Sequence, residues 1–477
     1  MGLMRIGSDG KLEYGAAADH IVSDDGLTYE FKLRQDVFWV NNEDFNRQCT
    51  ANDFVYGFRR LFLPETESRR ASDYFCIKNS EAINQGKLTD LSQLGVKAKG
   101  DFELEFTLEN PNSRFLELLA EVPAMPCCED FFLAAQGKYG LSAECTPSNG
   151  SFYLRNWTYD PYSNSDTNNL ILRRNPKTAE VRDICPSGLN FFIEDENKFI
   201  DDFLNDEINC IAVSNDDKAR IKGNYDCEEF CSVTCGLVFN REFELFKNDN
   251  FRKALVMLAD RDAIIQAVSD FKRADGVIPE QVTIMNESYR ETMGACELPD
   301  YNANQAIELF QSARVELNGE LFSSARVIVP NTVAETAVSY IMQEWQREFG
   351  IYCTLKVLDE DDYLDCLKNG DYDAAILELR GNRNTPAAYL EQFAQNGAVN
   401  IGFVDQNYEE LLKSAAEAAD MSESGKLYKL AEQYLIDNTV FYPLYYKNEY
   451  FFTPKNVKDI AFDPFSKTID FSSAKRF

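Results

Sequence analysis

The sequence predicts an α/β protein with more than one domain. Strands and helices alternate between Arg326 and Leu379, and a half-buried strand precedes a capped helix between Gly26 and Phe62. The chain of 477 residues is also long enough for two or more domains. A hydrophobic content of 44% supplies the side chains that such cores need.

The first predicted unit is a strand, a polar turn and a helix. Apolar and charged residues alternate in "TYEFKLR", which is the period of a half-buried strand. After the turn, Thr50 and Asp53 have the spacing of a capping box at the start of a helix. The helix then carries its apolar side chains on one face, at Phe54, Val55, Phe58, Leu61 and Phe62. No catalytic constellation is present here, so we interpret the unit as scaffold.

The second predicted unit is β-α-β-α-β. Its strands are Arg326–Val329, residues 351–357 and Tyr372–Leu379, and a helical pattern lies in each interval. The first helix carries an apolar stripe formed by Val338, Ile341, Met342, Trp345 and Phe349. This order predicts parallel strands with right-handed crossovers.

The loop that leaves the third strand is the first site candidate. Ligands of such sheets bind beyond the carboxyl ends of the strands. The segment there, "RGNRNTPAAYLEQF", is polar and holds two arginines and a tyrosine. An ordinary surface loop is the alternative interpretation.

Three further segments are predicted as supports. Phe251–Val268 reads as one helix with an apolar face. Tyr301–Ala313 reads as another helix, with Ala306, Ile307, Phe310 and Ala313 directed inward. Asn438–Phe452 is predicted to be an aromatic strand pair, and strand aromatics are usually core residues.

Charge and hydropathy argue against a nucleic-acid partner and against a membrane-spanning helix. The net charge of −31 is opposite to the clustered positive charge that phosphate binding needs, so we expect no nucleic-acid partner. No run of 18 apolar residues is present, so we expect no membrane-spanning helix. The opening "MGLMRIGSDGK" lacks a signal-peptide pattern, which leaves two explanations: a cytosolic protein, or a targeting segment missing from this chain.

Cysteine and histidine counts argue against an enzyme. The single histidine, His20, leaves no base for a Ser-His-Asp or Cys-His site. Cys227, Cys231 and Cys235 follow a C-x3-C-x3-C spacing that differs from the usual zinc patterns. A cysteine hydrolase or redox protein built on these three residues is the enzyme alternative, and it lacks an activating base. We therefore expect no catalytic residue, metal or cofactor, and mostly buried thiols among the 13 cysteines.

The order of several motifs resembles one protein family. "DDGLTYEFKLRQDVFW" and "TANDFVYGFRRLF" are similar to the family's "DGLTYTFxLR" strand and "TAxDFVYSWRRL" helix, and five further landmarks follow in family order. These are "LGVKAKGDFELEFTLENP", "SNGSFYLRNW", "FRKALVMLADRDAII", "YNANQAIELFQSA" and "FYPLYY". They resemble the peptide-type (oligopeptide and dipeptide) extracellular solute-binding proteins of ABC importers, over nearly the whole chain.

The resemblance implies an architecture. It implies a two-lobed periplasmic-binding-protein-like fold, of the type II and cluster C kind, with an extra domain on the first lobe. The expected division is an extra α+β domain at residues 1–143, the hinge lobe at 144–240 completed by 451–477, and the distal lobe at 241–450. A signal segment, which the family normally carries, is expected to be absent from this chain.

The resemblance also implies a function. Such proteins capture a peptide or small organic solute by lobe closure and deliver it to membrane permease subunits, without catalysis. We accordingly expect a monomer that is extracytoplasmic and associated with the membrane, as a lipoprotein or a periplasmic protein.

Two departures from the family concern the ligand. In the family, an Asp within "D-Y-x-x-P" after the third strand of the distal lobe holds the peptide ammonium. With Pro386 aligned, Asn382 occupies that position. The family's cleft segment "TYYLxFN" is here "TCGLVFN", which places cysteine and glycine where cleft aromatics are usual. The resulting ligand-binding candidates are Arg380, Asn382, Arg383, Asn384, Tyr389, Cys235, Leu237, Asn149 and Tyr74.

These departures predict a roomier pocket with a changed charge preference. Alternatives to peptide capture are therefore a divergent binding protein for an N-blocked, acidic or non-peptide ligand, and a sensor or adhesion protein on the same fold.

Overall fold

The structure is a computed structural model of the chain, and it describes residues 1–7, 11–41, 45–160, 168–178, 184–193, 196–268, 271–319, 324–395, 397–418 and 420–477. The N-terminal residues build a core of their own from side chains between Leu3 and Cys128. The strands of this part are β1 (Met4–Ile6), β2 (Leu12–Tyr14), β3 (Ala17–Val22), β4 (Thr28–Leu33), β5 (Phe38–Val40), β6 (Asn46–Gln48), β7 (Val96–Gly100) and β8 (Glu103–Thr107). The helices are α1 (Ala51–Phe62), α2 (Ser80–Asn84), α3 (Phe115–Leu118) and α4 (Glu129–Ala134), with 3₁₀ turns at Pro64–Thr66, Ala71–Tyr74, Leu91–Gln93 and Val122–Ala124.

The predicted strand and capped helix are both confirmed. Strand β4 buries its alternate residues within the antiparallel sheet β3-β4-β8-β7. At the start of α1, the Asp53 carboxylate accepts a hydrogen bond from the backbone N–H of Thr50 (2.8 Å), and all five predicted apolar side chains of this helix are buried. The tip of the predicted turn, residues 42–44, lies outside the described residues.

The middle of the chain forms a small antiparallel sheet and leads into a long strand. The sheet has the order β11-β10-β9. The elements are β9 (Phe152–Thr158), β10 (Asn169–Arg174), β11 (Gly188–Phe192), α5 (Glu196–Leu204), β12 (Ile211–Val213), α6 (Asn215–Lys218) and the 15-residue strand β13 (Tyr225–Phe239).

The remaining residues form the distal α/β layers and the C-terminal strands. The helices are α7 (Glu244–Lys247), α8 (Asp249–Val256), α9 (Arg261–Ala267), α10 (Tyr289–Met293), α11 (Ala303–Glu316), α12 (Glu335–Phe349), α13 (Glu360–Asn369), α14 (Ala387–Leu390), α15 (Gln406–Ala416) and α16 (Met421–Asp437), with a 3₁₀ turn at Glu391–Phe393. The strands are β14 (Lys272–Arg273), β15 (Thr283–Ile284), β16 (Glu287–Ser288), β17 (Ser324–Pro330), β18 (Tyr352–Leu358), β19 (Ala374–Arg380), β20 (Tyr442–Pro454), β21 (Val457–Lys458), β22 (Ala461–Phe462), β23 (Ile469–Asp470) and β24 (Lys475–Arg476).

The predicted β-α-β-α-β unit is confirmed as β17-α12-β18-α13-β19. Strand β17 lies between the other two and pairs in parallel with both. Helix α13 ends where the sequence predicted, at Gly370 with a φ of 70°. Hydrophobic cores pack on both faces of the sheet, so the carboxyl end of β19 is held between two packed layers.

The two longest strands of the described residues, β13 and β20, pair with each other along most of their length. The first half of β13, up to Cys231, pairs with β20, while its second half, from Val233, pairs with both β20 and β19. The register of β13 against β20 shifts between Cys231 and Val233, which places a bulge at Ser232. The predicted strand pair at the C-terminal side is wrong, because β20 is one continuous strand of 13 residues.

Two helix predictions need correction. The helix expected at Phe251–Val268 is broken into α8 and α9, because Asp260 accepts a hydrogen bond from the backbone N–H of Ala263 and caps a new helix there. In α11, Ile307 is 36% exposed, whereas the other three predicted inward residues are buried.

We keep the division into residues 1–143, 144–240 with 451–477, and 241–450 as a proposal. The separate N-terminal core supports it. Below, "N-terminal domain" means residues 1–143 and "distal lobe" means residues 241–450.

Candidate functional site

The loop after β19 begins with an arginine held by two carboxylates. The guanidinium of Arg380 donates to Glu449 (2.7 Å) and to Glu378 (2.9 Å). Glu378 precedes it on β19 and Glu449 lies on β20, so the sheet itself fixes the geometry. The charge of Arg380 is therefore compensated within the protein.

Three further groups extend this arrangement at the strand crossing. Lys447 is buried and donates to Glu378 (2.9 Å), and Glu449 also accepts from Lys467 and from the hydroxyl of Ser232 (2.8 Å). We call Ser232, Glu378, Arg380, Lys447, Glu449 and Lys467 the crossing cluster.

The cations of the crossing cluster lower the pKa values of its two carboxyl groups. Burial alone would raise the pKa of Glu378, but the charges of Lys447 and Arg380 outweigh burial and leave it below its ordinary value. The same balance, with Arg380 and Lys467 as the cations, lowers the pKa of Glu449. Both side chains are therefore held as carboxylates at neutral pH.

Arg383 points across the boundary between the distal lobe and the N-terminal domain. Its guanidinium lies 3.4 Å from Glu121 of the N-terminal domain and 3.4 Å from Glu391 of its own lobe. A second arginine makes the reverse contact: Arg114 of the N-terminal domain donates to Glu391 (3.3 Å) and to the hydroxyl of Tyr428 (3.4 Å). The candidate loop and its neighbour Glu391 therefore contact the N-terminal domain through charged side chains.

The two asparagines of the loop differ in exposure. Asn382 is exposed and carries no charge. Asn384 is half-buried, and its side-chain oxygen accepts from the backbone N–H of Thr283 (2.8 Å), which ties the loop to β15. Asn382 is thus the polar side chain of this pair that is open to a ligand.

Both predicted tyrosines are fully buried and use their hydroxyls internally. Tyr389 donates to the backbone carbonyl of Ser232 (2.5 Å) and Tyr74 donates to that of Leu118 (2.9 Å). The ring of Tyr389 lies against Gly381, where any Cβ would collide with it. In this arrangement the tyrosines support the loop and the N-terminal domain rather than offering a surface.

The predicted β13 residues also lie in the interior. Cys235 and Leu237 are buried in the distal core, and the ring of Phe441 fills the space beside Gly236. The roomier pocket that this segment predicted is therefore occupied by Phe441 here. Asn149 is buried and donates to the backbone carbonyl of Met1 (2.9 Å).

The cysteine spacing does not produce a cluster. Cys227, Cys231 and Cys235 all lie on β13, where residues four apart are separated by roughly 13 Å. Burial raises the pKa of Cys231 and of Cys235 to about 12, which disfavours the thiolate that a nucleophile or metal ligand needs. Within the described residues, no group of three or more His, Cys, Asp or Glu side chains is placed to hold a metal ion.

The burial of the cysteines is graded. All 13 lie in the described ranges and none is in a disulfide: four are buried, seven are half-buried, and Cys185 and Cys227 are exposed. Full burial thus applies to fewer cysteines than the sequence led us to expect.

Sequence reasoning missed the acidic partners of the loop. Glu378 and Glu449 lie in strands that are otherwise mostly apolar or aromatic, and charged residues in such strands are a usable signal. Arg114, Glu117 and Glu121 similarly recur within the apolar segment "RFLELLAE". Arg114 contacts Glu391 and Glu121 contacts Arg383, each more than 200 residues away along the chain, and no local pattern identifies these pairs.

Comparison with known proteins settles the family. The model of one family, bacterial extracellular solute-binding proteins, family 5 Middle, matches residues 11–400. The chain belongs to this family. The proteins that it groups are binding proteins.

Individual relatives match this family 5 chain over nearly its whole length. It is 26% identical to the oligopeptide-binding protein OppA of Bacillus subtilis, over 96% of this chain and 84% of that protein. It is 25% identical to the probable deoxycholate-binding periplasmic protein YgiS of Escherichia coli, over 94% of this chain and 82% of that protein. The crystal structure of the periplasmic oligopeptide-binding protein OppAIV of Borrelia burgdorferi superposes with a TM-score of 0.75 at 22% identity, over 100% of this chain and 93% of that one. The last comparison confirms the two-lobed α/β fold.

One further property bears on the membrane. Among the described residues, none of the helices combines the length and the apolar composition that a bilayer crossing requires.

Proposed function

We propose that this family 5 chain is the solute-binding component of an ABC importer, which captures a peptide by lobe closure and delivers it to membrane permease subunits. The observation that carries the proposal is the position of the loop after β19. It leaves the carboxyl end of a parallel strand, where ligands of such sheets bind, and it faces the N-terminal domain through Arg383 and Glu121. Family membership and the oligopeptide-binding relative OppA support it.

The chemistry of this region supports capture without catalysis. The charged groups near the loop are arginines, lysines and carboxylates that neutralise one another, and the single histidine, His20, lies on β3. Binding energy that favours the closed state is sufficient for the role. We propose further that the protein acts as a monomer in an extracytoplasmic compartment, either anchored as a lipoprotein or free in the periplasm.

A second candidate is a ligand without a free ammonium group. Asn382 offers no carboxylate to such a group, and a relative, YgiS, is named as a probable deoxycholate-binding protein. Arg380 and Arg383 each have two carboxylate partners, so their charges are compensated. This favours an N-blocked or uncharged ligand over an acidic one.

Affinity selection tests the two candidates directly. The purified protein would be examined by native mass spectrometry for a co-purified solute, then equilibrated with pools of short peptides carrying free or acetylated amino termini. We expect enrichment of peptides by the folded protein and none by the urea-unfolded control. Enrichment of non-peptide solutes alone would contradict peptide capture.

A matched pair of variants locates the binding region. Asn382→Ala changes the exposed asparagine of the candidate loop, whereas Gln346→Ala truncates an exposed glutamine of α12. We expect the first to weaken the selected binding and the second to leave it unchanged. Equal effects of both variants would place the ligand elsewhere.

A further inference from the structure

Seven charged side chains form an alternating chain across the interlobe boundary. In spatial order they are Asp73, Arg70, Glu121, Arg383, Glu391, Arg114 and Glu117, and each contacts its neighbours as an ion pair. Signs alternate along the whole series. Arg383 and Glu391 belong to the distal lobe and the other five belong to the N-terminal domain.

The boundary itself is crossed by two reciprocal ion pairs. Arg383 of the distal lobe meets Glu121 (3.4 Å), and Arg114 of the N-terminal domain meets Glu391 (3.3 Å). Each side thus supplies one cation and one anion. Both crossing contacts join opposite charges, so these two pairs favour approach of the lobes without help from a ligand.

Burial makes these pairs stronger than ordinary surface pairs. The exposed fraction of the side chain is 8% for Arg114, 16% for Arg383 and 17% for Glu121, whereas Glu391 keeps 42%, so burial strengthens the Arg383–Glu121 pair most. Exposed ion pairs contribute little because water screens them, and that screening is reduced here.

Separation of the lobes leaves every member with a partner on its own side. Arg383 keeps Glu391, Glu121 keeps Arg70, and Arg114 keeps Glu117. No buried charge is abandoned on opening, so the penalty that accompanies a broken buried pair does not arise. The contribution to closure is therefore modest and reversible.

We propose that Glu121, Arg383, Glu391 and Arg114 form an electrostatic latch that favours lobe closure independently of any solute. The latch rests on the lobe motion of the proposed function, but not on the identity of the ligand. It raises the fraction of molecules already closed, and the apparent affinity of a solute that binds the closed form rises with that fraction. The latch residues thus tune affinity through the conformational equilibrium.

The test is a double-mutant cycle on the full chain with no added solute. Lys87 and Lys368, which are both exposed, would be replaced by noncanonical amino acids that carry dyes. Single-molecule Förster resonance energy transfer between the dyes then reports the interlobe distance. Glu121→Gln and Arg383→Gln are each expected to lower the closed-to-open ratio about three- to tenfold, the range for one partly buried ion pair. The double variant is expected to fall no further than the stronger single variant, because both remove the same contact.

Two controls keep the result interpretable. Arg347→Gln removes an exposed arginine from α12 and is expected to leave the ratio unchanged. Glu391→Gln alters a half-buried side chain at the second crossing and is expected to lower the ratio even if the Glu121 variant folds poorly.

Two outcomes would overturn the latch: an unchanged ratio in Glu391→Gln, or fully additive effects in the Glu121 and Arg383 cycle. Failure of peptide binding would instead contradict the proposed function and leave the solute-free ratio as a valid measure of the latch.

Discussion

Asn382 is exposed and occupies the position of the candidate loop where the family resemblance places a carboxylate. Its neighbours Arg380 and Arg383 are both paired with two carboxylates, so the loop offers neither a free negative nor a strong free positive charge. Selectivity at this residue should therefore depend on whether the ligand end carries an ammonium group.

The substitution Asn382→Asp tests that dependence. A desolvated charge pair is typically worth ~2–5 kcal/mol. Because Asn382 is exposed, we expect the low end, a gain of roughly 30-fold for a free-amine peptide. Calorimetric titration of one peptide, with a free and with an acetylated amino terminus, measures it on both proteins. A wild type that already prefers the free amine strongly would contradict the prediction.

At the scale of elements, local patterns predicted local structure well. The apolar stripe of α12 and the stop at Gly370 lie within single elements, where periodicity and turn chemistry act over a few residues. The bulge at Ser232 and the continuity of β20 depend on pairing between distant strands, which no local pattern encodes.

The candidate site illustrates the same limit. The sequence located the loop after β19, because parallel strands place ligand sites at their carboxyl ends. It could not identify Glu121 as the partner of Arg383, which is 262 residues away along the chain. Nor could it reveal that Phe441 packs beside Gly236.

Packing of β13 against Phe441 predicts a specific loss of stability. A Cβ at Gly236 would collide with the Phe441 ring, so Gly236→Ala should destabilise the fold by about 1–3 kcal/mol, as overpacking does. Thermal unfolding measures the change. Gly100→Ala is the matched control in β7, where the nearest neighbouring atom lies 3.9 Å from the added Cβ. Phe441→Leu should partly rescue Gly236→Ala, and absence of rescue would argue against the collision.

The crossing cluster predicts acid sensitivity of the two long strands. The pKa values of Glu378 and Glu449 are lowered from the ordinary value of 4.5, so their contribution to stability is present above about that pH. It is lost as the pH falls through the lower folded-state values, because protonation removes the charge that Lys447 and Arg380 stabilise.

A neutral variant separates this contribution from general acid unfolding. Glu449→Gln should cost roughly 1.5–3 kcal/mol at pH 7, the range for hydrogen bonds to a charged group. The variant should also lose less stability than the wild type between pH 5 and pH 3. Melting temperatures across that range provide the measurement, with exposed Glu65→Gln as control. Parallel wild-type and Glu449→Gln curves would show that the cluster does not titrate in this window.

At the scale of the whole molecule, the crossing cluster and the latch occupy different parts of the structure, and both bear on the proposed opening and closing of the lobes. The cluster ties β13, β19 and β20 together, while the proposed latch joins the distal lobe to the N-terminal domain. A net charge of −31 would by itself oppose compaction, so paired charges at the closing surface offset a general repulsion. On the proposed latch, a modest free energy is enough to interconvert open and closed lobes.

Closure of the lobes on solute binding involves the whole molecule, and small-angle scattering can measure it. A ligand shifts the equilibrium only as far as its differential affinity for the closed state allows; a shift from 1:99 to 99:1 needs about 5.5 kcal/mol. We expect the radius of gyration to fall when a verified tight ligand saturates the wild type. Glu121→Gln should start from a larger solute-free radius, because its latch is weakened, and should reach the same radius at saturation. An unchanged radius in both proteins at saturation would rule out hinge closure as the mechanism of capture.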